Sequence, residues 1–97
     1  MSIDDSVVGF EWDEVNLTHL AERGVTDAEV EQLVSERHIV LPNRRHPWRW
    51  LLAGRTHGGR ILIVSIEPTP HDGIWRPITA RNAEPEERRQ FERRTRR

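Results

Sequence analysis

From Arg60 to Glu67 the chain reads Arg-Ile-Leu-Ile-Val-Ser-Ile-Glu, and this run constrains the fold more than any other stretch. Ile61, Ile63, Val64 and Ile66 are β-branched, which favours an extended backbone. Side chains alternate sides along a strand, so this one is apolar on both faces. It therefore needs cover on both sides and belongs at the centre of a sheet. Thr56-His57-Gly58-Gly59 precedes it and reads as a hairpin turn. Before that turn, Trp48 to Thr56 reads as a second strand, with Trp48, Trp50 and Leu52 alternating with Arg49, Leu51 and Ala53. After the central strand, Ile74 to Arg81 reads as the last strand, and Pro77 argues for an edge position there because proline offers no N–H to a ladder.

The N-terminal half has a different grammar. Val8, Phe10 and Trp12 fall on one face at period two, which predicts a first strand over 7–12. Asp13 is a good N-cap for a helix from Glu14 to Arg23, and Gly24 suits the residue after it. Thr26 and Glu29 form a capping box, with Val25 and Val30 as a hydrophobic staple. Val30, Leu33 and Val34 then stripe a short second helix to about Ser35. His38 to Leu41 is a short strand or extended connection stopped by Pro42. Asn43 to Pro47 is a basic loop between prolines. Pro85 and the acids Glu84, Glu86 and Glu87 open a third helix. Phe91 is its one large apolar residue, so weak docking and fraying are expected. The predicted order is β-α-α-β-β-β-α, an α+β domain with a small antiparallel sheet of about four strands.

Ninety-seven residues make one domain with a modest core, and residues 84–97 form its basic helical tail. The N-terminus, Met-Ser-Ile-Asp-Asp, has no apolar leader, and no run is long enough to span a membrane, so the expected location is the cytoplasm. Charge is strongly polarised. Residues 1–36 carry ten acids and one base, and residues 37–97 carry fourteen arginines and six acids. Every base is arginine, the side chain suited to bidentate phosphate or carboxylate contacts. A GC-rich genome gives the same bias.

The five histidines show neither metal-ligand spacing nor a neighbouring carboxylate cluster, and the chain lacks cysteine, so no metal and no cofactor are expected. Ser65 lies mid-strand without a nucleophile-elbow motif. Arginine and histidine remain. Metal-independent RNA cleavage needs a proton removed from the 2′-oxygen, the phosphoryl charge stabilised and the leaving 5′-oxygen protonated. Arginine serves the second need, and histidine the first and third. The candidate catalytic residues are His19, Arg60 and Arg81, and the candidate RNA contacts are Arg55, Arg76 and Arg88. Without a bulge, Arg76 and Arg81 face opposite sides of their strand, and one of them then pairs with the acidic helical half. The four tryptophans read as core or sheet-face packing, except that one outside the core could stack an unpaired base.

Phe10-Glu11-Trp12-Asp13, Gly24-Val25, Gly54-x-Thr56-x-x-Gly59-Arg60-x-Leu62-x-Val64, Thr79-Ala80-Arg81 and Glu87-Arg88 occur in an order that resembles the BrnT family of toxins, over residues 9–91. The resemblance implies a RelE-like fold and ribonuclease activity that arrests translation. It also implies neutralisation by a ribbon-helix-helix antitoxin, in a complex that represses its own promoter. It places Arg60, Arg81 and Arg88 in the family's basic pattern. The chain departs from that pattern at Arg23, where the family usually has histidine, at Glu22, where it usually has lysine, and at Pro77. His19, one turn earlier, is the candidate to replace the missing histidine. A non-catalytic domain that binds a partner protein and a nucleic-acid-binding module using the Arg-rich tail are the alternatives.

Overall fold

The computed structural model describes residues 7–96. They form an α+β domain with a five-stranded mixed sheet and three helices. In chain order these are β1 (Gly9–Phe10), α1 (Glu14–Glu22), α2 (Asp27–Ser35), β2 (His38–Pro42), β3 (Trp50–Arg55), β4 (Ile61–Pro68), β5 (Ile74–Asn82) and α3 (Pro85–Thr95). The sheet order is β1-β5-β4-β3-β2, so the apolar Ile61 run is the central strand, as its sequence predicts. Strands β2 to β5 pair antiparallel, and β1 pairs parallel with β5.

Both faces of β4 are covered. On one face Leu62, Val64 and Ile66 join Leu52 and Val40 beneath Leu20, Val30 and Leu33 of the first two helices and Val25 of the turn between them. On the other, Ile61 and Ile63 join Ile39, Ala53 and Phe91 of α3. α3 thus crosses to the face opposite α1 and α2. Phe91 is only 3% exposed and anchors this helix, which runs from Pro85 to Thr95.

The local helix signals hold. Asp13 and Asn16 form a capping box at α1, and Thr26 and Glu29 form one at α2. Gly24, just past α1, has φ 74°, the left-handed conformation glycine adopts without steric cost. At the other kind of constrained glycine, a Cβ on Gly54 would lie 2.9 Å from the Leu33 Cβ. The missing side chain at Gly54 is what lets α2 lie close on β3.

Four strand features differ from the sequence reading. The sheet has five strands and is mixed, where an antiparallel sheet of about four is expected, because β1 adds to β5 in parallel. The first strand has two residues rather than six, because the chain leaves β5 after Glu11 to form the Asp13 cap. β3 begins at Trp50, since Trp48 and Arg49 belong to the turn that precedes it. Finally, β5 is not an outer strand in the sheet order, yet β1 reaches only Ile74 and Trp75. Pro77 lies beyond that reach, opposite Ile66 at a register shift, where its lack of an N–H is tolerated.

Candidate functional site

The β-bulge in β5 decides what the face bearing α3 displays. Glu67 pairs with Arg76 and Ile66 with Pro77, but Ser65 pairs with Thr79, so one extra residue is absorbed between them. Cross-strand partners share a face. Arg76, Thr79 and Arg81 therefore all project on the side of Ile63, Ser65 and Glu67. α3 covers only the end of this face near Ile61 and Ile63. The remaining part carries two rungs, Leu51–Ser65–Thr79 and Arg49–Glu67–Arg76.

A pocket of about 160 Å³ opens there, and Leu51, Ile63, Ser65, Thr79, Arg81 and Arg23 contribute to its lining. Ser65 is 6% exposed, and its hydroxyl has no hydrogen-bond partner among the described residues. A buried hydroxyl without a partner is costly, so the floor of this pocket offers an unused polar group. Thr79 flanks it. Two guanidinium groups reach the rim: Arg81 from β5, and Arg23 from the end of α1. Among the described residues Arg23 forms no ion pair. Arg81 is gripped by Glu87 of α3 through Nη1–Oε1 at 2.6 Å and Nη2–Oε2 at 2.8 Å. This bidentate contact holds Glu87 below the usual carboxylate range and raises Arg81 above its ordinary value. Glu87 also accepts from the Glu84 backbone N–H, so the α3 cap and the Arg81 clamp share one carboxylate.

The other candidate residues are dispersed. Arg60 lies on the opposite face of the sheet from Arg81. It donates to the Gly24 carbonyl and to Glu29, both at 3.0 Å, and to Asn82 at 3.2 Å, joining the turn between α1 and α2 to the strands. His19 is exposed on α1, four residues before Arg23, the residue that caps the helix C-terminus. Arg55 sits at the far end of α3, 3.4 Å from Glu92 and 6.0 Å from the Phe91 ring centroid. It lines a separate recess of about 510 Å³ with Arg37 and His57. Arg88 is exposed on α3.

Arg76 shares the pocket's face but turns to the edge. It hydrogen-bonds both carboxylate oxygens of Asp13, with Glu11 at 3.6 Å. The contact brings Asp13 down to about 2, chiefly through that hydrogen bond. This is the pairing with the acidic half expected of one of the two β5 arginines, although both share a face. Arg23, Ser65 and Thr79 are the pocket residues that sequence reasoning did not select. The available signal was a single hydroxyl interrupting the apolar β4 run.

Among the described residues no group of three His, Asp or Glu side chains is placed to hold a metal ion. No described helix is long and apolar enough to cross a membrane. No protein-family profile matches the sequence, and no curated protein matches it.

Proposed function

We propose that this chain is a toxin-type, metal-independent endoribonuclease that contacts the RNA backbone through the open half of its sheet and so inhibits translation. One observation carries the reading: an unpartnered buried hydroxyl, Ser65, at the floor of a small pocket rimmed by Arg23 and Arg81. That arrangement suits a phosphoryl group, with neutral donors below and guanidinium groups at the sides. In the reaction the 2′-hydroxyl gives up its proton and attacks phosphorus. The bond to the 5′-oxygen breaks, that oxygen takes a proton, and a cyclic phosphate remains. Arg23 and Arg81 offset the charge that develops on the phosphoryl oxygens. His19, four residues before Arg23, is the candidate to move a proton. Arg60 supports the site from behind by fixing the turn that carries Arg23. By the same reading the partners are RNA and a neutralising antitoxin of ribbon-helix-helix type, and the site of action is the cytoplasm.

The experiment is induction in a bacterium, with growth and RNA integrity followed in parallel. Growth arrest with cut RNA is expected, and Arg81→Ala and Arg23→Ala should each relieve it. Normal growth and intact RNA alongside folded, expressed protein would falsify the enzymatic reading.

A second reading, a non-catalytic domain that binds a partner protein, is favoured by the apolar exposure of α1, where Val15 is 65% exposed and Leu17 is also open. Capture of a partner that survives Arg81→Ala but is lost with Val15→Glu distinguishes it.

A further inference from the structure

Three of the four tryptophans, Trp12, Trp50 and Trp75, pack against the core. Trp48 does not. It is 59% exposed, a large aromatic surface left in solvent. It sits in the connection between β2 and β3, a segment tied by several hydrogen bonds. The Asn43 side chain accepts from the backbone N–H groups of Arg45 and His46, both at 3.1 Å. The Arg49 N–H donates to the His46 carbonyl at 2.8 Å, closing the turn. The His46 ring lies 5.1 Å from the Trp48 ring, at 64° to it. The Arg49 guanidinium lies 5.8 Å from the Trp48 ring centroid while its Nε donates to Glu67 at 2.8 Å. Pro42 and Pro47 bound the segment, which limits its freedom further.

The charge of this turn is of one sign. Arg44, Arg45 and Arg49 fall between Asn43 and Arg49, with no acid among them, and Arg44 and Arg45 are exposed. Its position also matters. Glu67, the partner of Arg49, lies two residues from Ser65 on β4, about 7 Å along the strand. The turn therefore borders the rung that floors the Arg23–Arg81 pocket.

We propose that Trp48 is a stacking platform for an unpaired base, and that Arg44 and Arg45 hold the phosphates beside it. The ligand is single-stranded RNA whose backbone continues into the pocket over Ser65. This deepens the ribonuclease reading and rests on it for the choice of RNA. An exposed indole with flanking guanidinium groups is the chemistry that recognises unpaired bases, since every base has a π-face and a duplex hides it. A held turn orders the platform in advance, which lowers the entropic cost of binding. Trp48 acts as a positioning and specificity residue, selecting single strands over paired ones.

The test uses a 2′-O-methyl RNA decamer, whose blocked 2′-oxygen cannot be cleaved, and the same strand annealed to its complement. Trp48→Ala should weaken single-strand binding about tenfold or more, and Trp48→Phe should largely restore it. Duplex affinity should stay the same for all three proteins. In wild type the single strand should quench tryptophan fluorescence, and Trp48→Ala should abolish that quenching. The double variant Arg44→Ala/Arg45→Ala should lower the slope of log K against log salt by about 1.4 for the single strand. Unchanged single-strand affinity in folded Trp48→Ala, or an equal loss for the duplex, overturns the proposal. So does a site that takes a protein partner and no oligonucleotide. The two readings fail separately. Toxicity relieved by Arg81→Ala but indifferent to Trp48→Ala removes the platform and keeps the nuclease. Trp48-dependent binding of single strands without RNA cleavage does the reverse.

Discussion

Arg76 and Arg81 are five positions apart on β5 and still project from the same face of the sheet, because the bulge opposite Ser65 and Ile66 absorbs one residue. Strict alternation would place them on opposite faces. They nevertheless serve different ends. Arg76 holds Asp13 at the start of α1, and Arg81 meets Glu87 at the rim of the pocket.

The Arg76–Asp13 pair gives folding stability a specific acid dependence. Asp13 has a folded value of about 2 against an ordinary 3.8, so the unfolded chain takes up the proton first. Its contribution is complete above about pH 4 and is lost as pH falls toward 2. Asp13→Asn keeps a competent cap but removes the charge. Urea midpoints compared at pH 5 and pH 2.5 should therefore fall less for Asp13→Asn than for wild type.

Glu87 occupies Arg81 from one side, which leaves that guanidinium partly neutralised toward the pocket. Glu87→Gln retains a side chain able to accept the Glu84 N–H and removes the charge. Under the ribonuclease reading the variant should bind a non-cleavable single strand more tightly, with a salt slope steeper by about 0.7. The ion pair is largely at the surface, so the loss of stability should stay below ~1 kcal/mol.

Ser65→Ala should separate stability from binding. Removing a buried hydroxyl that lacks a partner should leave the fold as stable or raise it by roughly 1 kcal/mol, measured by denaturant unfolding. Affinity for the RNA strand should drop in the same protein. A serine present only for packing would show no loss of affinity.

Gly54→Ala is expected to be costly despite adding one methyl group. The new Cβ meets both Cβ and Cα of Leu33, and backbone and stem atoms of a packed helix do not yield easily. A loss of ~1–3 kcal/mol, read from the shift in urea midpoint, is the expected size of such overpacking.

The sequence was most legible where structure is local. The caps at Asp13 and Thr26 follow from side chains three residues from their partners. The apolar β4 run announced a strand covered twice, and the structure supplies both covers. What periodicity missed depended on distant partners. A bulge between Ser65 and Ile66 is invisible in β5 until β4 lies beside it. Trp48 continues the alternation of Trp50 and Leu52, yet Asn43 accepts from Arg45 and His46 in a turn ahead of it and the indole is left exposed. The arginines show the same limit: composition gave their number, while their carboxylate partners determine which remain available. Arg60 is bound to Glu29, on the face away from the pocket, and Arg23, noted only as a departure from the BrnT pattern, reaches the rim.

The parallel pairing of β1 with β5 also sets an order of events in time. Gly9 finds Ile74 some 65 positions later, whereas β2, β3, β4 and β5 each pair with a neighbour in the chain. During synthesis the antiparallel meander can assemble as it emerges, but the first strand has no place to dock until β5 has been made. The acidic N-terminal segment is therefore the first part of the described chain to be made, yet it is secured only once β5 exists and Arg76 can meet Glu11 and Asp13.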